Sequence, residues 1–299
     1  MINSKIYAII VSYNPLISDL LELCKVLVQS DFNVLVIDNT EEDSYVFDEF
    51  IGISNLKLIR LWSNDGIAKA QNVGIKLALE QGADSVVFFD QDSVINKEFL
   101  FGLLAPMMRA EVMVSAPMYV DKIANVVVPI DKVNNWGIVN RTNRSDFDVA
   151  DNYLVISSGM AVKREVFEVV GLMNEDYFID YVDTDFCFRC FSKSIRIHIV
   201  KDAHMYHSVG EGLLSFLGFN FFVHNEIRVY YQARNFILLV KKIYVPFMFK
   251  IREFFSILFH HGIVLVFLSS NRRLYLRALY FGFRDGLRGR IGKVPLNLL

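Results

Sequence analysis

Carboxylates at short spacing are the first candidates for chemistry in this 299-residue chain. Asp90-Gln91-Asp92 closes the apolar run Val86-Val87-Phe88-Phe89. Alternate carboxylates at the end of a buried strand point in related directions and can share a divalent ion. Mg²⁺ or Mn²⁺ prefers carboxylate oxygen, keeps several waters and takes further ligands from substrate phosphates. The competing reading is that this pair caps a helix starting near Asn96-Lys97. Cys187-x-x-Cys190 has redox or zinc half-site spacing, but the chain holds only one further cysteine, Cys24. A disulfide framework or a zinc site is therefore not expected.

Elements that could position the carboxylates follow from the hydrophobic pattern. Ile6 to Val11, Val34 to Ile37, Leu56 to Leu61 and Ser85 to Phe89 read as short strands buried on both faces, with helices over Leu16 to Val28 and Gly66 to Leu79. Strands alternating with helices imply a mostly parallel, Rossmann-like α/β sheet, and ligands bind such sheets at the carboxyl ends of strands. Tyr13, Asp38 and the Asp90/Asp92 pair each follow a strand, so one cleft could collect them. Further on, Val112 to Met118, Val126 to Ile130, Val133 to Val139 and Ile195 to Val200 read as strands. Lys163 to Gly171 and Asp183 to Ser192 read as helices, which makes residues 1–225 one domain.

Residues 226–299 form a different, C-terminal helical region. From Arg228 onward there are 13 Lys/Arg against 2 Asp/Glu, leaving 18 against 31 before it. Such a split suggests an acidic catalytic body with a basic tail facing an anionic partner. Phe254 to Ser270 lacks Asp, Glu, Lys and Arg over 17 residues, short of the roughly 20 that a spanning helix needs. Arg273, Arg277, Arg284 and Arg288 share one helix face amid leucine and phenylalanine, the pattern of a helix lying in a membrane interface. Gly282, Gly286 and Gly289 weaken that helix. The basic residues sit among apolar runs, which argues against nucleic-acid binding. The N-terminus has no long apolar stretch before a cleavage site, so a cytoplasmic active site, peripheral on the inner face of the cell membrane, is expected.

Ile10-Val11-Ser12-Tyr13-Asn14-Pro15, Val36-Ile37-Asp38-Asn39, Asn64 to Gly74 and Phe89-Asp90-Gln91-Asp92-Ser93 follow one another in order. Together they resemble the family 2 glycosyltransferases of GT-A fold, specifically the bacterial rhamnosyltransferase branch, over about residues 5 to 240. The resemblance implies a nucleotide-diphospho-sugar donor (dTDP-L-rhamnose in this branch), Mg²⁺ or Mn²⁺, and inversion at the anomeric carbon. It also implies a role for each matching residue. Tyr13 and Asp38 would meet the base and ribose, Asp38 by accepting from a pyrimidine N3–H. Gly66, Ala70 and Asn72 lie in the small-residue helix start that lets backbone or donor approach closely. Asp90 matches the ribose contact and Asp92 the metal ligand, with His207 in His204-Met205-Tyr206-His207 as a further metal-side contact. Ser158 and Gly159 belong to the acceptor-side loop.

In Asp180-Tyr181-Val182-Asp183-Thr184-Asp185 the resemblance makes Asp183 the catalytic base, although most relatives have Glu-Asp where this chain has Val182-Asp183. Asp180 is placed on the acceptor side, and Asp180 and Asp185 compete for the base role. The three could also be a cluster favoured by a helix dipole. Arg228 and Arg234 match a segment closing over the donor phosphates, where arginine makes bidentate contacts. The expected acceptor is a lipid-linked oligosaccharide in bacterial surface polysaccharide (O-antigen) synthesis, and a homo-oligomer is compatible with the sequence. A sugar-nucleotide nucleotidyltransferase would need a Gly- and Arg-rich loop where Ser12-Tyr13-Asn14-Pro15 stands. A non-catalytic scaffold would have lost Asp92 or Asp183.

Overall fold

The computed structural model describes residues 4–42, 47–121, 126–142, 151–207, 213–216, 219–269 and 271–294, with main chain alone for 207, 213–216 and 219–222. Its centre is a seven-stranded sheet of order β10-β5-β9-β4-β1-β2-β3. These strands are β1 (Ile6–Ser12), β2 (Asn33–Asp38), β3 (Leu56–Arg60), β4 (Ser85–Asp90), β5 (Val114–Asp121), β9 (Ala161–Lys163) and β10 (Ile197–His207). All run parallel except β9, which is antiparallel to β4 and β5. A smaller sheet joins β6 (Ile130–Val133), β7 (Val139–Thr142) and β8 (Asn152–Leu154), and β11 (Leu213–Phe216) pairs with β12 (Phe219–Phe222). The helices are α1 (Ile17–Val28), α2 (Ile67–Glu80), α3 (Lys97–Leu104), α4 (Arg164–Val170), α5 (Val182–Ser192), α6 (Glu226–Val240), α7 (Phe247–Ile263) and α8 (Arg272–Leu287).

The continuous apolar runs have a direct cause. Successive strand residues point to opposite faces, and both faces are covered here. Tyr7, Ile9, Val86 and Phe88 enter one core with Ala70, Ile75 and Ala78 of α2. Ala8, Ile10, Val87 and Phe89 enter the other with Leu20 and Leu27 of α1 and Leu100 of α3. At Gly74 a Cβ would stand 2.7 Å from Ile9 Cγ2, so glycine lets α2 lie on the sheet. The strand expected over Val133 to Val139 is instead broken by a turn in which the Asn134 side chain accepts from Trp136 and Ile138 N–H. Gly137 there has φ +86°.

The C-terminal helices pack onto the body rather than standing apart. Leu238, Leu239, Val245 and Phe249 join the first core. Gly282 and Gly286, expected only to weaken α8, form its seam with α6. A Cβ at Gly282 would lie 2.6 Å from Tyr230 O, and one at Gly286 2.7 Å from Arg234 O. Asp285, fully buried in this seam, accepts from Tyr230 and pairs with Arg284 and Arg290. The four-arginine face is therefore divided: Arg273, Arg277 and Arg288 are exposed, and Arg284 is held by Asp285. α7 runs on through a π-turn at Val264–Leu268, so the apolar stretch belongs to a 22-residue helix, long and apolar enough to cross a membrane.

Candidate active site

β1, β2 and β4 end level. Ser12 pairs with Asp38 and Val11 with Asp90, so Tyr13, Asp38 and Asp90 gather at one sheet edge. Side chains tie these ends together. Gln91 accepts from Tyr13 N–H at 2.7 Å and donates to Tyr13 O at 3.2 Å. Asn39 Oδ1 accepts from Asp65 N–H at 3.0 Å, which holds the loop leading into α2. Asp90 is partly buried and Asp92 is exposed. The cap of α3 is Asn96, whose side chain accepts from Phe99 N–H at 2.8 Å. Neither aspartate performs that task, and the helix-cap reading of the pair falls.

Asp38 is fully buried and accepts from Ser12 Oγ at 3.0 Å, Thr40 Oγ1 at 2.8 Å and Arg60 Nε at 3.2 Å. Three of its roughly four lone-pair sites are thus used. Arg60, so oriented, stacks 3.8 Å from the ring centroid of Trp62, an exposed residue at the same edge. Tyr13 is 44% exposed.

Asp183 sits in the first turn of α5 and is partly buried. Burial pushes its carboxyl up to about 7; hydrogen bonds from Ser157 hold it back, and the charges of Asp90 and Asp180 add to the rise. Asp90 and Asp183 are therefore electrostatic neighbours although 93 residues apart in sequence. Ser157 and Ser158 lie between them: Gln71 Nε2 donates to Ser157 Oγ at 3.0 Å, and Ser158 Oγ accepts from Asp90 N–H at 3.2 Å. Gly159 has φ +79°, and a Cβ there would meet Pro117 Cγ at 2.7 Å. Its N–H donates to Phe88 O at 2.7 Å, which brings this loop onto β4.

Asp185, the competing carboxylate, is fully buried. It accepts from Tyr177 and Tyr244 hydroxyls and pairs with Arg189 Nε at 2.7 Å. No lone pair is left facing solvent, so it does not serve as base. Asp180 is committed to Arg228, which donates from Nε at 3.2 Å and from Nη2 at 3.0 Å.

Phe178, Asp180 and Tyr181 all have φ near +60°, a left-handed conformation that costs about 1–3 kcal/mol per non-glycine residue. Such a segment persists only when its surroundings fix it, and α6 does so. Asn235 Nδ2 donates to Tyr177 O at 2.8 Å and Ile179 O at 2.6 Å. Tyr231 stacks on Phe178 at 4.8 Å. Arg234, fully buried, donates from Nη2 to Asp176 O and Tyr177 O, each at 3.1 Å. The helix face bearing Arg228, Tyr231 and Asn235 exists as expected, yet it clamps the loop that leads into α5. Arg234 is moved from the expected phosphate contact to this clamp, because every direction its guanidinium points ends on a carbonyl.

Asn72 likewise has another task. Its amide donates to Met173 O at 2.9 Å and Glu175 at 2.7 Å, and accepts from Met173 N–H at 2.9 Å. Gly66 admits protein rather than ligand: its Cβ would stand 2.5 Å from Phe178 O. Ala70 is fully buried in the core under α2.

Two contributors escaped the sequence reading. Buried Gln71 holds Ser157, and its Oε1 has no partner among the described residues. Tyr119 donates to Ile156 O and Ser158 O at 3.1 and 3.0 Å. A polar residue within the small-residue stretch Ala68 to Gly74 was the available signal for Gln71; none marked Tyr119.

For a divalent ion, exposed Asp92 offers hard oxygen at the strand end. The Val94–Tyr206 bridge brings the main chain before His207 alongside. The His207 side chain lies outside the described residues, among which no group of three metal-binding side chains occurs. Asp92 with waters and substrate phosphates fits Mg²⁺ or Mn²⁺, which does not require an all-protein cage.

Residues 7–171 match the Glycosyl transferase family 2 description. Over 291 residues, 97% of this chain and 98% of the relative, the sequence is 37% identical to dTDP-rhamnosyl transferase RfbF of Shigella flexneri. Over 269 residues it is 21% identical to the low-salt glycan biosynthesis hexosyltransferase Agl10 of Haloferax volcanii, covering 87% and 84% of the two chains. Among solved structures, S. aureus TarS 1-349 in complex with UDP-GlcNAc shares the fold at TM-score 0.57 and 17% identity, covering 98% of this chain and 82% of that one. GalNAc-T7 with UDP, GalNAc and Mn²⁺ does so at TM-score 0.61 and 13% identity, covering 95% and 56%. With its sheet, its strand-end carboxylates and these matches, the chain belongs to glycosyl transferase family 2 and is a glycosyltransferase of GT-A fold.

Proposed function

We propose that this glycosyltransferase moves L-rhamnose from dTDP-L-rhamnose to a hydroxyl of a lipid-linked oligosaccharide in bacterial surface polysaccharide synthesis, inverting the anomeric carbon. The donor assignment is supported by the near full-length match to a dTDP-rhamnosyl transferase. The observation that carries the mechanism is Asp183, a desolvated carboxylate beside Asp90 and across Ser157 from the donor edge. Tyr13 flanks the nucleobase, the Asp38–Arg60 pair faces its polar edge, and Asp90 holds the ribose. Asp92, with His207, would hold Mg²⁺ or Mn²⁺, which supplies positive charge to the nucleotide diphosphate. Asp183 takes the acceptor hydroxyl's proton as that oxygen bonds to the anomeric carbon. The bond from that carbon to the diphosphate oxygen breaks on the opposite face. Ser158 and Gly159 border the acceptor side, and Arg228 fixes Asp180 there.

Exposed Phe255, Leu258 and Phe259 of α7, with the exposed Arg273, Arg277 and Arg288 on and beside α8, support attachment to the cytoplasmic face of the membrane. The assignment of donor is tested by calorimetric titration with Mg²⁺ present. dTDP-rhamnose should bind at least about tenfold more tightly than UDP-glucose or GDP-mannose; equal or absent binding of all three would remove the donor assignment.

The raised carboxyl sets a pH signature. Only deprotonated Asp183 is a base, so transfer should climb about tenfold per pH unit below about 7 and level off above it. A rate profile flat from about pH 5 to 9 would place the base elsewhere.

A further inference from the structure

A cavity of about 300 Å³, lined mostly by residues with polar or charged side chains, opens between α5, α6 and α7, within the roughly 300–1,000 Å³ range of small-ligand sites. It lies beyond the segment that matches the family description, which ends at residue 171. Asp180 and Thr184, on either side of Asp183 in sequence, form one wall. Gln232, Glu253, Ser256 and His260 form others. Thr184, Gln232 and Ser256 have side-chain hydrogen-bonding groups without a partner among the described residues. Glu253 is oriented by Tyr181, whose hydroxyl donates to Oε1 at 2.8 Å. Neutral donors and acceptors with two fixed carboxylates, Glu253 and the Arg228-held Asp180, suit sugar hydroxyls.

A second cavity, about 150 Å³, lies between α7 and α8 and is lined almost wholly by apolar atoms, among them Phe254, Leu258, Gly262, Leu265 and Phe283. Ile257 and His261 line both cavities, so the polar and apolar chambers adjoin across one turn of α7. The adjoining outer face of α7 is apolar and open, with Phe255 61% and Phe259 60% exposed. An occupant of both chambers must be polar at one end and apolar at the other.

We infer that the two chambers form the acceptor site, the polar one taking the terminal sugar of an amphiphilic saccharide and the apolar one the start of its hydrocarbon tail. The inference rests on the glycosyltransferase reading and names where, and by which residues, that reaction's second substrate is held. Asp183 itself lines neither chamber; its sequence neighbours Asp180 and Thr184 form the polar chamber's wall, and its Ser157 contact lies toward the donor edge. Glu253 and Gln232 are positioning residues that select the acceptor.

Matched octyl and methyl β-glycosides of glucose, galactose, mannose, N-acetylglucosamine and rhamnose test this on the full chain, below micelle-forming concentrations. At least one octyl glycoside should bind saturably and about tenfold more tightly than its methyl partner, the gain from burying about two methylenes. Glu253→Gln and Gln232→Ala should each weaken it about fivefold or more while dTDP-rhamnose affinity changes less than about twofold. Gly262→Leu is the sharpest variant. Gly262 lines the apolar chamber and a Cβ there meets nothing within 4 Å, so a larger side chain has room to start at this wall and leucine should erase the octyl advantage. Octyl glycosides no better than methyl ones, or Gly262→Leu without effect on them, would overturn the inference. So would donor affinity falling in step with acceptor affinity. A chain that binds no nucleotide-sugar at all would instead overturn the donor assignment, so the two failures are distinguishable.

Discussion

Asp183→Asn should lower sugar transfer about 10²–10⁴-fold, the range for loss of a general base, with dTDP-rhamnose affinity changed less than about twofold. Asparagine keeps the shape and can still accept from Ser157, but it cannot take a proton. The competing carboxylates differ in ways that sharpen the test. Asp185 is buried among Tyr177, Tyr244 and Arg189, so Asp185→Asn should lower stability first and activity through it. Asp180 is held by Arg228 at the cavity wall, so Asp180→Asn should raise the acceptor KM more than it lowers kcat. Full activity in Asp183→Asn, measured by single-turnover transfer, would remove the base from this position.

Arg234→Ala should be the most destabilising change on α6. Its guanidinium reaches Asp176 O, Tyr177 O, Gly292 O and the Asn235 side chain from a fully buried position. Each acceptor left unpaired costs about 1–3 kcal/mol, and partial relaxation brings the sum to about 3–5 kcal/mol. Thermal unfolding should then shift down by about 5–8 °C. Arg228→Ala, two turns earlier, breaks a half-exposed pair worth about 0–1 kcal/mol and should leave the melting temperature nearly unchanged. A donor-phosphate role for Arg234 would reverse the pattern, with donor affinity lost and stability kept.

The contrast between these arginines shows where the sequence was readable and where it was not. Strands buried on both faces declare themselves as apolar runs, and the polar residue after each run, Tyr13, Asp38 or Asp90, could be placed at a cleft from that pattern alone. The small residues of α2 were also visible, but their purpose was not. Gly66 and Asn72 face Phe178 and Met173, residues about a hundred positions away, and no local pattern encodes such a partner. The same holds for Arg234 and Asn235, whose partners are main-chain carbonyls of a left-handed segment. Gly282 and Gly286 read as helix weakeners until α6 is seen against them. The spare carboxylates of the Asp180 to Asp185 group could be separated only once burial and hydrogen bonds assigned Asp185 to Arg189 and Asp180 to Arg228.

The most direct test is turnover of a donor panel by the full chain. With Mg²⁺ or Mn²⁺, release of nucleotide diphosphate from dTDP-rhamnose should exceed that from UDP-hexoses and GDP-mannose at least about tenfold. It should fall to background with a chelator or with Asp92→Asn. Equal release from every donor, or release from dTDP-rhamnose unchanged by Asp92→Asn, would contradict the reading of the Asp90-Gln91-Asp92 edge as the donor and metal site.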